Sequence, residues 1–199
     1  MALDVDPTAA MLTRRGLLLE YATLGWNVVG TVVVIVAAIA ASSVALAGFG
    51  LDSLIEIFAS VVVVWQLKGV HEARERRALR MIGVAFFALA VYILAQCAYT
   101  LFRADHPATS TLGIIWLAAT LAAMLLLAQG KCVTGKRLGN PVLMTEAHVT
   151  MIDAYLAAAV LIGLVLNAAL GWWWADPLAG LVIVYYGLRE GVAIWRDEA

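Results

Sequence analysis

Asp52 and Glu56 stand four residues apart inside the stretch from Ala45 to Leu67, which is otherwise almost wholly apolar. Four residues make about one helical turn, so the two carboxyls lie one above the other on a single face, and Ser60 continues that face. Later in the chain Glu146 and Asp153 are seven apart, two turns along one face, and Asn167 lies near that face fourteen residues beyond Asp153. Glu20 and Asn27 repeat the seven-residue spacing near the start. Acids grouped in this way suit three kinds of chemistry: binding a cation, exchanging protons, or acting as an acid and base pair.

The segments that must position these residues are membrane helices. Of the 199 residues 64% are hydrophobic and only 14% are charged, and the mean hydropathy is +0.93, which places the chain among integral membrane proteins. The net charge of -1 gives no reason to expect a nucleic-acid partner. Cys97 and Cys132 have no paired spacing and read as structural residues.

Six spans are predicted, at about residues 16–41, 45–67, 81–102, 111–128, 142–170 and 178–195, in a single domain covering 1–199. Lys68 to Arg80 and Gln129 to Asn140 read as solvated basic loops, and the fourth span as packing alone. Of the 13 Lys and Arg, all but Arg103 fall on the side of the two termini, so the expected fold is an all-α six-transmembrane-helix bundle with both termini cytoplasmic. The expected location is the bacterial inner (plasma) membrane. At 1.5 Å rise per residue, Asn27 and Asp153 each lie roughly 16 Å beyond the inner end of their spans, and Glu56 reaches that level from the outer end of the second span.

A charged residue at the bilayer centre costs about 2.5–3.5 kcal/mol, so three bare carboxylates would cost about 7–10 kcal/mol unless protonated, paired or bound to a cation. No Lys or Arg is expected at that depth. Protonation, metal binding or alternation between the two remain, and a crowded carboxylate cluster that trades protons for a divalent cation has the chemistry of metal–proton antiport. The plainer reading is protonated acids serving as hydrogen-bond glue between helices.

Ser43-Val44-Ala45-Leu46 followed by Gly50-Leu51-Asp52-Ser53-Leu54-Ile55-Glu56 resembles the second transmembrane segment of the cation diffusion facilitator (cation efflux) family. Asp153 with Val160-Leu161-Ile162-Gly163, then Trp172 to Ala179, resembles that family's fifth segment, outer turn and sixth segment. The resemblance implies a homodimeric exporter of zinc or a similar divalent ion, working by alternating access in exchange for protons; no prosthetic group is expected, and the hard oxygen donors of Asp, Glu and Asn leave manganese or ferrous iron beside zinc. The resemblance also implies that Asp52, Glu56 and Asp153 are three of four transport-site ligands. The resemblance extends over the transmembrane part alone, as in a short branch lacking the family's cytoplasmic C-terminal domain.

Where the family usually has a His or Asp four residues before the fifth-segment acid, this chain has Val149. His148 is about 140° round the helix from Asp153 and makes a poor substitute, so Asn27, level with Asp153, is the preferred fourth contributor. Glu20 and Glu146, nearer the cytoplasm, suit the path of access. Trp172 to Trp174 read as an interfacial anchor, Asp176-Pro177 as a helix start capped by the Asp, His71 and His106 as solvated, and Arg189-Glu190 as a surface pair. Two other classes compete: an intramembrane aspartyl hydrolase using Asp52 and Asp153, and a non-transporting scaffold. Gly48-Phe49-Gly50-Leu51-Asp52 comes near the Gly-x-Gly-Asp signature of such hydrolases, but its Asp falls one residue late, and Glu56 is superfluous to a dyad.

Overall fold

The computed structural model describes residues 7–67, 72–104 and 106–197, and every described element is an α-helix or a turn. The helices are α1 (Pro7–Ala41), α2 (Val44–Leu67), α3 (Glu72–Arg103), α4 (Thr111–Leu138), α5 (Pro141–Leu170) and α6 (Ala175–Asp197). Lys68 and His71 lie outside the described residues. The helices alternate in direction, so Pro7 and Asp197 share one end of the bundle, here the near end, and the turns after α1, α3 and α5 form the far end.

On α1 burial runs opposite to that of a water-soluble bundle: its buried positions include Glu20, Thr23, Asn27, Thr31 and Val34, spaced by three or four, whereas Val28, Val29, Val32, Val36 and Ile39 face outward, Ile39 with 76% of its surface exposed. A stripe at helical period is therefore present, but its polar side points inward, as it does when the solvent is lipid. Among the described residues, four stretches are long and apolar enough to cross a membrane: Thr8–Ala41, Gly83–Arg103, Thr111–Leu138 and Glu146–Leu170. The chain is an all-α integral membrane protein.

Lipid tails are as apolar as leucine, so close packing has to hold these helices together. α4 lies along α5, α3 along α6, and α1 along both α2 and α4, while α2 also meets α3, α5 and α6. Small residues permit the approach. A Cβ added at Gly163 of α5 would sit 3.0 Å from the Ala175 carbonyl oxygen of α6, and one added at Gly180 of α6 would sit 2.8 Å from Cys97 Sγ of α3. The Cys97 thiol donates to the Pro177 carbonyl, the structural role expected of it.

Three boundaries differ from the sequence reading. α1 begins at Pro7, α3 begins at Glu72 within the expected basic loop, and α4 continues through Lys131 to Leu138. Gly130 and Gly135 do not stop α4, because an interior glycine costs only about 1 kcal/mol and here each admits a neighbour, Leu19 of α1 and Met144 of α5. The stop is Gly139, whose φ of 61° is a left-handed cap that most side chains resist. Asn140 then accepts from the Leu143 amide, and Pro141 opens α5.

Asp176 behaves differently from the expected cap of its own helix. It lies in the first turn of α6, fully buried, and accepts from the Ser43 hydroxyl and from the Val44 and Ala45 amides, so it caps α2 across the interface. The Ser43 hydroxyl in turn accepts from the Leu46 amide. Nearby, Asn167 donates to the Pro107 carbonyl and His106 stacks on Trp173 at 5.0 Å, so both act as braces of the far end. Removing the carboxylate strands three donors, so Asp176→Ala is expected to lower stability by about 1–3 kcal/mol. Thermal unfolding in detergent measures this, and Asp176→Asn, which keeps one acceptor oxygen, should lose less.

Candidate cation site

Three helices bring matched faces to the interior. α2 presents Asp52, Glu56 and Ser60, α5 presents Glu146, Thr150 and Asp153, and α1 presents Glu20, Thr23 and Asn27, each set repeating at three or four residues, and all nine are buried. The side chains gather into two tiers along a polar column.

The upper tier holds Asp52, Glu56 and Asp153. With Val149, Tyr186 and Glu190, among others, they line a cavity of about 10 Å³, close to the least space that holds one water. Asn27 Nδ2 donates to Glu56 Oε2 at 2.8 Å, which joins α1 to α2. Both oxygens of Asp153 are buried without a hydrogen-bond partner among the described residues. That is costly for a carboxyl group, and rare where no ligand or solvent serves it. In this conformation no three His, Cys, Asp or Glu side chains among the described residues stand close enough together to hold a metal ion.

The lower tier is organised by Lys131 of α4, whose side chain has 0% exposure. Its Nζ donates to Glu20 Oε2, Glu146 Oε1 and Thr150 Oγ1, each at 3.1 Å. An ammonium has three hydrogens, and all three are used. Ser60 adds a long contact of 3.5 Å to Glu146 Oε1, and Thr150 donates to its own helix at the Glu146 carbonyl. The expectation of Lys131 in a solvated loop is thus corrected: α4 runs further than expected and carries the amine inside, to the level of Glu20 and Glu146. This ammonium reaches Glu20 and Glu146 but forms no described ion pair with Asp52, Glu56 or Asp153. α4 is also more than packing, because Trp26 Nε1 donates to Thr120 of α4 at 3.1 Å.

Two further residues bear on the upper tier. His148 is exposed and does not line the cavity, whereas Val149, at the position where the missing ligand was sought, does. Glu190, expected as a surface partner of Arg189, is half-buried and lines the cavity with the upper acids. Its signal was available: Ile183, Gly187 and Glu190 recur at four and three residues along α6, so the acid extends a buried face.

Acids grouped on facing helices inside an apolar bundle define a class, that of membrane proteins which handle ions or protons. The comparison with known proteins narrows it. Residues 80–199, more than half of the chain, match the cation efflux transmembrane domain, and the chain belongs to the cation efflux family. The match includes Asp153, Lys131 and Glu190 and begins after Asp52 and Glu56. The chain is also 26% identical over 155 residues to Transmembrane protein 163 of Xenopus laevis, an alignment covering 71% of this chain and 54% of that protein. The chain thus spans about half the length of the curated relative it matches.

Lys131→Met would leave Glu20 and Glu146 buried without their counter-charge. Breaking a buried pair from one side costs about 3–5 kcal/mol, so the variant is expected to melt well below the wild type in metal-free detergent. Adding Glu20→Gln and Glu146→Gln to it should recover most of that loss, because no uncompensated charge then remains.

Proposed function

We propose that this protein carries a divalent metal cation across a membrane, with Asp52, Glu56 and Asp153 as the carboxylates that hold the ion in transit. The single observation that carries the reading is Asp153: a buried carboxyl with no hydrogen-bond donor among the described residues, sharing a small cavity with two further acids and making no described ion pair with the Lys131 ammonium. Such a group needs a proton or a cation. Membership of the cation efflux family supports the cation.

The donor set bears on which ion is carried. Carboxylate oxygens are hard ligands that suit manganese, magnesium or ferrous iron as well as zinc, and zinc remains the first choice through the family resemblance. Asn27 serves the site through Glu56. Its Nδ2 is committed to that carboxylate, which fixes the orientation of Glu56 and leaves the amide oxygen as the atom that can add to the ion's shell. His148, exposed and outside the cavity, takes no part.

α2 and α5 come from opposite ends of the bundle, so a cation drawn between Asp52, Glu56 and Asp153 pulls the two helices together. Its departure lets them separate, and protons on the same oxygens offset the charge. That cycle is alternating access with proton exchange. We place both termini in the cytoplasm of a plasma-membrane protein of six spans in a single domain, with export as the direction and a homodimer as the assembly. The charge bias toward the near end and the family resemblance support this arrangement. A hydrolase built on Asp52 and Asp153 would need room for a peptide between them, and their cavity of about 10 Å³ gives none.

Purified protein in liposomes is expected to take up zinc, manganese or ferrous iron with countermovement of protons. Asp52→Asn and Asp153→Asn should each weaken binding about 10- to 100-fold, the equivalent of losing one charge-assisted contact of about 1.5–3 kcal/mol. Uptake no faster than in empty liposomes for all three ions would overturn the reading. Asn27→Ala should weaken affinity about 10- to 100-fold, as loss of an orienting partner does, whereas unchanged affinity would remove Asn27 from the site.

A further inference from the structure

The lower tier has the donors of a cation site, and a cation belonging to the protein already sits in it. Glu20 of α1 and Glu146 and Thr150 of α5 direct oxygens at one point, where Lys131 of α4 delivers its ammonium, and Ser60 of α2 adjoins it through Glu146 Oε1. The ammonium does not use everything on offer. Among the described residues Glu20 Oε1 is buried with no hydrogen-bond partner, and the Ser60 hydroxyl is 3.5 Å from its acceptor, a slack contact. Two carboxylates against one ammonium also leave the tier one negative charge in excess when both acids are ionised.

Position adds to this. Glu146 and Thr150 share the α5 face of Asp153, and Ser60 shares the α2 face of Asp52 and Glu56, so both tiers lie on one column. Glu146 is roughly 10 Å along the helix from Asp153, on the near-end side. An ion moving between the near end and the upper acids by this column must pass the point that the ammonium holds.

We propose that Glu20, Glu146, Thr150 and Ser60 form a second divalent-cation position, and that Lys131 is a tethered cation which fills it and yields it to an ion in passage. The chain's own amine thus offsets one of the tier's two carboxylates and blocks the column between transport events. Hard divalent ions of the manganese or magnesium class fit best, since every donor is oxygen and such ions take about six of them. The proposal extends the reading of the upper acids as the transport site, and its test separates the two.

The experiment is equilibrium binding of Mn²⁺ to the full chain in detergent, counted per chain. Wild type is expected to bind one ion, with an affinity about 10- to 100-fold weaker in Asp153→Asn. Lys131→Met is expected to bind two, and the added one should disappear when Glu20→Gln and Glu146→Gln are introduced with it. A folded Lys131→Met that binds no more than the wild type overturns the proposal and leaves the upper site standing. Wild type binding none while Lys131→Met binds one, lost with the two Gln substitutions, supports the lower position and removes the upper one. Should Lys131→Met be unfolded in chelator, millimolar Mn²⁺ is added: recovery of its thermal transition supports the proposal, and no recovery overturns it.

Discussion

A charge in hydrocarbon has no water to answer it, and the interior of this bundle is arranged around where each charge finds an answer. Lys131 answers Glu20 and Glu146, the amides that open α2 answer Asp176, and Asn27 answers Glu56. Each of these contacts ties helices that the lipid itself gives no reason to associate, α4 to α1 and α5, α6 to α2, and α1 to α2. These polar contacts help set the packing register beside an apolar core that includes Leu46, Phe49, Ile93 and Val160, while further apolar residues such as Val28, Val32 and Ile39 form the outer coat. Asp153 is the exception, and the function is read from that exception.

The two tiers differ in kind though they are built from similar residues. In the lower one a full set of three hydrogen bonds closes around an ammonium, which rigidifies the place where α1, α4 and α5 meet. In the upper one a single amide contact serves three acids around a small cavity. The upper tier thus has acceptors in excess of donors, and the two helices that carry its acids are α2 and α5.

Much of this was legible in the sequence. Six apolar runs gave the helices, and the four-residue spacing of Asp52 and Glu56 and the seven-residue spacing of Glu146 and Asp153 gave the shared faces. Lys131 was not legible, because Gly130 and Gly135 on either side of it have the composition of a turn, and only the fitting of Leu19 and Met144 against them shows that they are contact points in a continuing helix. Asp176 was legible as the start of a helix but not as the cap of another, since spacing along one chain says nothing of which helix end lies across an interface. Glu190 was masked by its neighbour: Arg189 beside it suggested a surface pair, whereas the helical period places the two on different faces.

The bond from Asp176 to the first turn of α2 makes that end of the helix a pivot. Asp52 lies eight residues from Val44, a lever arm of about 12 Å, and Glu56 lies twelve residues away, about 18 Å. A swing of α2 by about 10° about that pivot carries Asp52 by about 2 Å and Glu56 by about 3 Å, leaving the far end of the helix in place. The deeper acid therefore travels further. A helix hinged on α6 in this way can widen or narrow its gap to Asp153 in proportion to depth, as the blades of a pair of shears do.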